Sequence, residues 1–179
     1  MTRVLVTGFE PFGGRDVNPS ALIAEALDGV VLPVSFARAA DELRRAIDER
    51  EPDLVVCFGL ADGDAAISVE RFAHNLDEAS AIDNEGAGGS GGPIDPTGPL
   101  AFASRLPVDA IVAALREESI PAVVSRDAGG YLCNHVFYVL MGALPPDAKG
   151  GFVHVPSLDA IPLERQIQAA RTIVAVASE

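Results

Sequence analysis

The sequence predicts a three-layer α/β/α sandwich around a mostly parallel twisted sheet, with an added antiparallel strand. Three observations carry this prediction. Short runs rich in Val, Ile and Leu recur along the chain, patterns with helical period separate them, and one stretch with period-two apolar positions breaks the alternation. The strand runs are RVLVTG (3–8), VVLPVSF (30–36), DLVVCFG (53–59), PAVVS (121–125) and GFVHVP (151–156). Helical patterns cover 19–28, 40–51, 108–119 and 132–144, with a last helix from about Ile161. This β-α-β-α order is that of parallel strands joined by covering helices. The exception, AAISVERFAHNL (65–76), reads as the antiparallel addition.

The 179 residues, 49% of them apolar, can bury one core, so residues 1–179 read as a single domain. A net charge of −13 repels phosphate backbones and anionic lipid, which excludes nucleic acid and membrane as expected partners. MTRVLVTGF has no basic leader before a long apolar run, and a cytoplasmic setting is expected. Two cysteines are too few for a disulfide framework. The segment DNEGAGGSGGPIDPTGP (83–99) reads as a mobile loop, either a lid beside strand ends or a surface insertion.

Chemistry is expected at the strand ends, TGFEPFGG, FGLADGD, SRDAGGY and HVPS. Cys57, inside LVVCFG, reads as a buried inert thiol. Cys133 follows a strand and a glycine-bearing turn and opens a helix, where free N–H groups favour a thiolate and can hold an oxyanion. It reads equally as a small apolar residue starting a core helix. A thiol nucleophile needs a base. His154 lies on an apolar strand at its carboxyl end; His135, two positions after Cys133, is turned about 200° away on a helix and is expected to pack or face water. Nothing around His74 argues for catalysis. Acidic residues abound, so charge alone does not choose a partner for the imidazole, although Glu70 stands on an otherwise apolar strand. The opening loop VTGFEPFGG lacks both G-x-G-x-x-G and the lysine of a phosphate loop, which weakens a nucleotide-binding reading.

Four stretches together, VLVTGFEPFGG with VNPS, SVERFAHNLDEA with DNEG, DAGGYLCNHVFY, and GFVHVP, resemble the pyroglutamyl peptidase I (pyrrolidone carboxyl peptidase) family of cysteine exopeptidases. The resemblance spans nearly the whole chain in order. It implies a catalytic triad of Glu70, Cys133 and His154, and an apolar slot for a pyroglutamyl (5-oxoproline) ring involving Phe9, Phe12, Tyr131 and Leu132. It further implies no metal or organic cofactor, an N-terminally pyroglutamylated peptide as substrate, and a homodimer or homotetramer. Where family members carry an arginine before DNEG this chain has Ser80, and the usual GQAGGR reads GLADGD, with Leu60 and Asp64 at the changed positions. The stretch after His154 is expected to be short. Altered substrate preference, or a noncatalytic binding role on the same fold, are the alternatives these departures keep open.

Overall fold

The computed structural model describes residues 2–78 and 82–179. Strands β1 (Val4–Phe9), β2 (Val30–Leu32), β3 (Leu54–Leu60), β4 (Ile67–Glu70), β7 (Ala122–Ser125) and β8 (Lys149–Val155) form a six-stranded sheet in the order β2-β1-β3-β8-β4-β7. Helices α1 (Pro19–Ala26), α2 (Ala39–Arg50), α3 (Val108–Glu117), α4 (Leu132–Ala143) and α5 (Leu163–Ser178) cover it.

Strand alternation divides the core. Val6, Val56, Phe58, Val69 and Val153 point to one face, against Ile23 of α1, Ile111 and Leu115 of α3, and Ile173 of α5. Leu5, Phe9, Val55, Cys57 and Phe152 point to the other, against Leu43 of α2 and Val136, Phe137 and Leu140 of α4. The runs read as fully apolar because both faces of each strand are covered, as parallel sheets require. Each fully buried Leu, Ile or Phe contributes roughly 1.5–3 kcal/mol.

The segment 65–76 is not one strand. It divides into β4, which pairs antiparallel with β8 and parallel with β7, and β5 (Phe72–His74), which pairs antiparallel with β6 (Ala101–Ala103) in a separate two-stranded sheet. The two strands β4 and β7 therefore run against the other four. Period-two alternation reports burial of one face and carries no information about the partner strand, so it registers neither the division nor β6. The run 30–36 yields only Val30–Leu32, because Pro33 brings no N–H to a ladder. The glycine-rich segment is stitched down: Asp77 N–H donates to the Gly92 carbonyl at 2.9 Å, Asn75 and Asp95 bond each other at 2.7 and 2.8 Å, and Ile82 bridges Gly88. Among the described residues no helix is long and apolar enough to cross a membrane.

Candidate active site

Cys133 is the second residue of α4. The chain enters the helix through Gly129, at φ +79°, and Tyr131, an extended N-cap whose side chain caps nothing. Among the described residues the first-turn N–H groups thus have no side-chain acceptor, which suits them to a developing oxyanion. The sulfur packs against the backbone of β3 at Gly59, where a Cβ would stand 2.8 Å from Sγ. Only glycine allows the helix start to sit this close.

His154 follows from sheet register. It pairs with Gly59 on one side and with Ser68 of β4 on the other, so its side chain shares the α4 face of the sheet with Phe152. Glu70, two residues beyond Ser68, points to that same face, and His154 Nδ1 donates to Glu70 Oε1 at 2.8 Å. A carboxylate only accepts, so this bond fixes the tautomer and leaves Nε2 toward Cys133. Glu70 is 1% exposed, and its second oxygen, Oε2, has no partner among the described residues. Burial by itself lowers the imidazole's pKa, but the charge and hydrogen bond of Cys133 and those of Glu70 outweigh it and raise the pKa from 6.5 to about 10. The imidazole is therefore held in its protonated form between Glu70 and Cys133.

The two residues after Cys133 fasten the surroundings of its thiol. Asn134, fully buried, accepts from His74 N–H at 2.9 Å and donates to the carbonyls of His74 and Leu76, both at 2.9 Å. His135 turns away from the sulfur as its helical position dictates, but it neither faces water nor merely packs. Its Nδ1 lies 3.0 Å from both oxygens of buried Asp77, and Phe36 meets its ring edge-on at 5.5 Å. These bonds tie the chain after β5 to the start of α4. His74 contacts the Arg126 carbonyl through Nε2 at 3.1 Å.

Beside Cys133 lies an aromatic wall. Tyr131 stands 6.4 Å from Phe12 and 5.5 Å, edge-on, from Phe36, ring centre to ring centre. Phe9 and Leu132, each 2% exposed, belong to the buried cluster against which these rings pack, and so form its floor. The opening loop is anchored to α1: Phe9 N–H donates to Ser20 Oγ at 3.0 Å, and Asn18 Nδ2 donates to the Glu10 carbonyl at 3.1 Å while its Oδ1 accepts Ser20 N–H. This is what the VNPS stretch does.

Cys57 is fully buried, and burial pushes its thiol up to about 12, which makes it inert. Leu60 is buried, whereas Asp64 is exposed and forms no ion pair among the described residues. Asp62 instead pairs with Arg15. Ser80 lies outside the described residues. Between β8 and α5 the turn 156–162 is short, and Gln166 Nε2 closes it by donating to the carbonyls of Pro156 and Ile161 at 2.9 and 2.8 Å. Sequence reasoning did not find Gly59, Phe36, Asp77 or Asn134. Their roles depend on neighbours distant in the chain, and Phe36 alone carried a local signal, as an aromatic following a strand.

A helix-start cysteine facing an imidazole backed by a buried carboxylate, on an α/β sheet, has the form of a thiol hydrolase. The profile of the pyroglutamyl peptidase family matches residues 2–173, and the chain belongs to that family. It is 45% identical to the pyrrolidone-carboxylate peptidase of Clavibacter michiganensis, covering 98% of this chain and 91% of the relative. It is 44% identical to that of Bacillus cytotoxicus, covering 88% and 80%. Among solved structures, the pyroglutamyl peptidase I of Bacillus amyloliquefaciens superposes with a TM-score of 0.96 at 35% identity, over 99% of this chain and 97% of that one. The pyrrolidone carboxyl peptidase of Thermococcus litoralis gives 0.95 at 38%, over 99% and 94%.

Proposed function

We propose that this protein is a cysteine exopeptidase that hydrolyses the amide bond after an N-terminal pyroglutamyl residue, and that Cys133, His154 and Glu70 perform the chemistry. The 2.8 Å bond between His154 Nδ1 and Glu70, with Nε2 left for Cys133 beside an aromatic wall, carries the reading. The Cys133 thiolate attacks the carbonyl carbon, and the oxyanion develops against the uncapped N–H groups of α4. His154 gives its proton to the leaving amine, which departs, and a pyroglutamyl thioester remains. Water, deprotonated by His154, then attacks the thioester and releases pyroglutamate with Cys133 regenerated. Glu70 holds the imidazole's tautomer and balances its charge.

The substrate has no charged amino terminus, so recognition falls to a neutral lactam ring. Phe12 and Tyr131 over the floor of Phe9 and Leu132 suit an apolar ring that a cation could not improve. The reading places the activity in one domain over residues 1–179, with no cofactor. It includes a cytoplasmic setting, and a homodimer or homotetramer supported by the family resemblance alone. Steady-state hydrolysis of a pyroglutamyl anilide tests the function: the unmodified protein is expected to turn it over, and Cys133→Ser to lose nearly all activity. Comparable turnover by Cys133→Ser would sink the mechanism.

A further inference from the structure

The turn 83–87 is a knot of hydrogen bonds laid across two other segments. Asp83, 6% exposed, accepts from Phe36 N–H at 2.9 Å through one oxygen and from Glu85 and Ala87 N–H at 2.9 and 2.8 Å through the other. Asn84 makes the longer reach. Its backbone N–H donates to the Val34 carbonyl at 3.0 Å, and its side-chain Nδ2 donates to Glu10 Oε1 at 3.1 Å and to the Pro11 carbonyl at 2.9 Å. The same Glu10 oxygen accepts Val34 N–H at 3.0 Å.

Asn84 thus spends both side-chain amide protons on the opening loop, while its backbone N–H holds the segment after β2. The three aromatic rings of the slot leave the chain beside these attachments. Phe12 follows Pro11, Phe36 lies two residues after Val34, and the Tyr131 hydroxyl donates to the Ile82 carbonyl at 3.2 Å, two residues before Asn84. Beyond Phe12 the chain turns through Gly13 and Gly14, both at positive φ, and the turn is closed by Arg15 N–H on the Phe12 carbonyl at 3.2 Å and by the Arg15–Asp62 pair, none of which fixes the distance from Phe12 to Phe36.

We propose that Asn84 is a positioning residue that sets the separation of Phe12 from Tyr131 and Phe36, and so determines how tightly the slot holds the substrate's ring. The inference rests on the slot reading above. The partners explain the residue type. Glu10 and the Pro11 carbonyl are both acceptors, so the bridging group must bring two donors and no charge that upsets Glu10's bond to Val34. Aspartate, nearly the same shape, brings no donor and repels Glu10. The bonds are solvent-exposed and compete with water, so their loss loosens the loop without unfolding the protein. Asn84 touches neither Cys133 nor His154, so the effect falls on binding and spares the chemical step.

The test uses the full chain, a pyroglutamyl anilide, and alkylation of Cys133 by iodoacetamide as a readout that does not use the slot. Asn84→Ala is expected to raise KM about fivefold, equivalent to ~1 kcal/mol, with kcat within about twofold and alkylation rate and melting temperature unchanged. Asn84→Asp is expected to raise KM further, and Glu10→Gln in that background to recover part of it by restoring a donor opposite the new carboxylate. A KM unmoved in Asn84→Ala but raised in Phe12→Ala overturns the clasp alone. A KM unmoved in Phe12→Ala overturns the slot reading beneath it. A double variant no better than Asn84→Asp also counts against the clasp, and it keeps the question answerable if Asn84→Ala folds poorly.

Discussion

Gly59→Ala would set a methyl group where the nucleophile lies. Its Cβ would stand 2.8 Å from Cys133 Sγ and 2.8 Å from Phe152 Cζ, whereas ordinary contact begins at 3.4 Å, so both contacts are too short by 0.6 Å and the β3 backbone is pushed as well as its neighbours. Phe152 is fully buried between Phe9 and Phe137 and has nowhere to go. The sulfur therefore moves, by rotating about its own side-chain bond or by lifting the start of α4. Either movement changes its approach to His154 Nε2 and to the carbonyl it attacks. A displacement of about 1 Å in a reacting group costs about 100-fold, so a fall of roughly 10- to 100-fold in kcat/KM is expected here. Overpacking should take about 1–3 kcal/mol from stability, and Gly59 has no positive φ to add strain. Steady-state kinetics on a pyroglutamyl anilide, with urea unfolding of the same preparation, reads both. Gly59→Ala with kcat/KM within about twofold of the unmodified protein and its fold intact would refute the placement of the sulfur against β3.

Glu70→Gln leaves the shape of the site but removes the charge and offers Nδ1 an amide, so the imidazole loses its fixed tautomer; kcat is expected to fall about 10²- to 10⁴-fold, and a fall under about threefold would remove Glu70 from the triad. Since His154 is raised from 6.5 to about 10 in the folded protein, its protonation stabilises the fold fully below pH 6.5, and that contribution is lost as pH rises through about 10. The melting temperature of the unmodified protein should therefore converge on that of His154→Asn between those pH values, and a constant difference would contradict the ion pair. In Cys133→Ser the imidazole loses its thiolate neighbour, so its pKa should fall when followed by proton NMR; an unmoved titration would separate His154 from the sulfur.

Much of this molecule was legible in one dimension, where the signal was local. Fully apolar strands announce a sheet covered on both faces, helical periods give α1 to α5 nearly at their observed bounds, and glycine then cysteine before a helical pattern puts a thiol at the start of α4. The segment 65–76 marks where local signals end. Alternation at Ile67, Val69 and their neighbours reports burial, but whether β4 lies beside β8 or at an outer edge depends on chain folded from 80 residues away. His135 is a similar case: the helical turn foretells that it leaves Cys133, and only the packing of β5 against α4 supplies Asp77.

The residue types needed for thiol chemistry, and the family they spell, were determined by the sequence itself. Choosing Glu70 among the acidic residues on physical grounds was left to the tertiary structure, because the 2.8 Å contact with His154 comes from the antiparallel register of β4 and β8. Hydrogen bonds and charge interactions act over a few ångströms of space, and separation along the chain does not measure that distance.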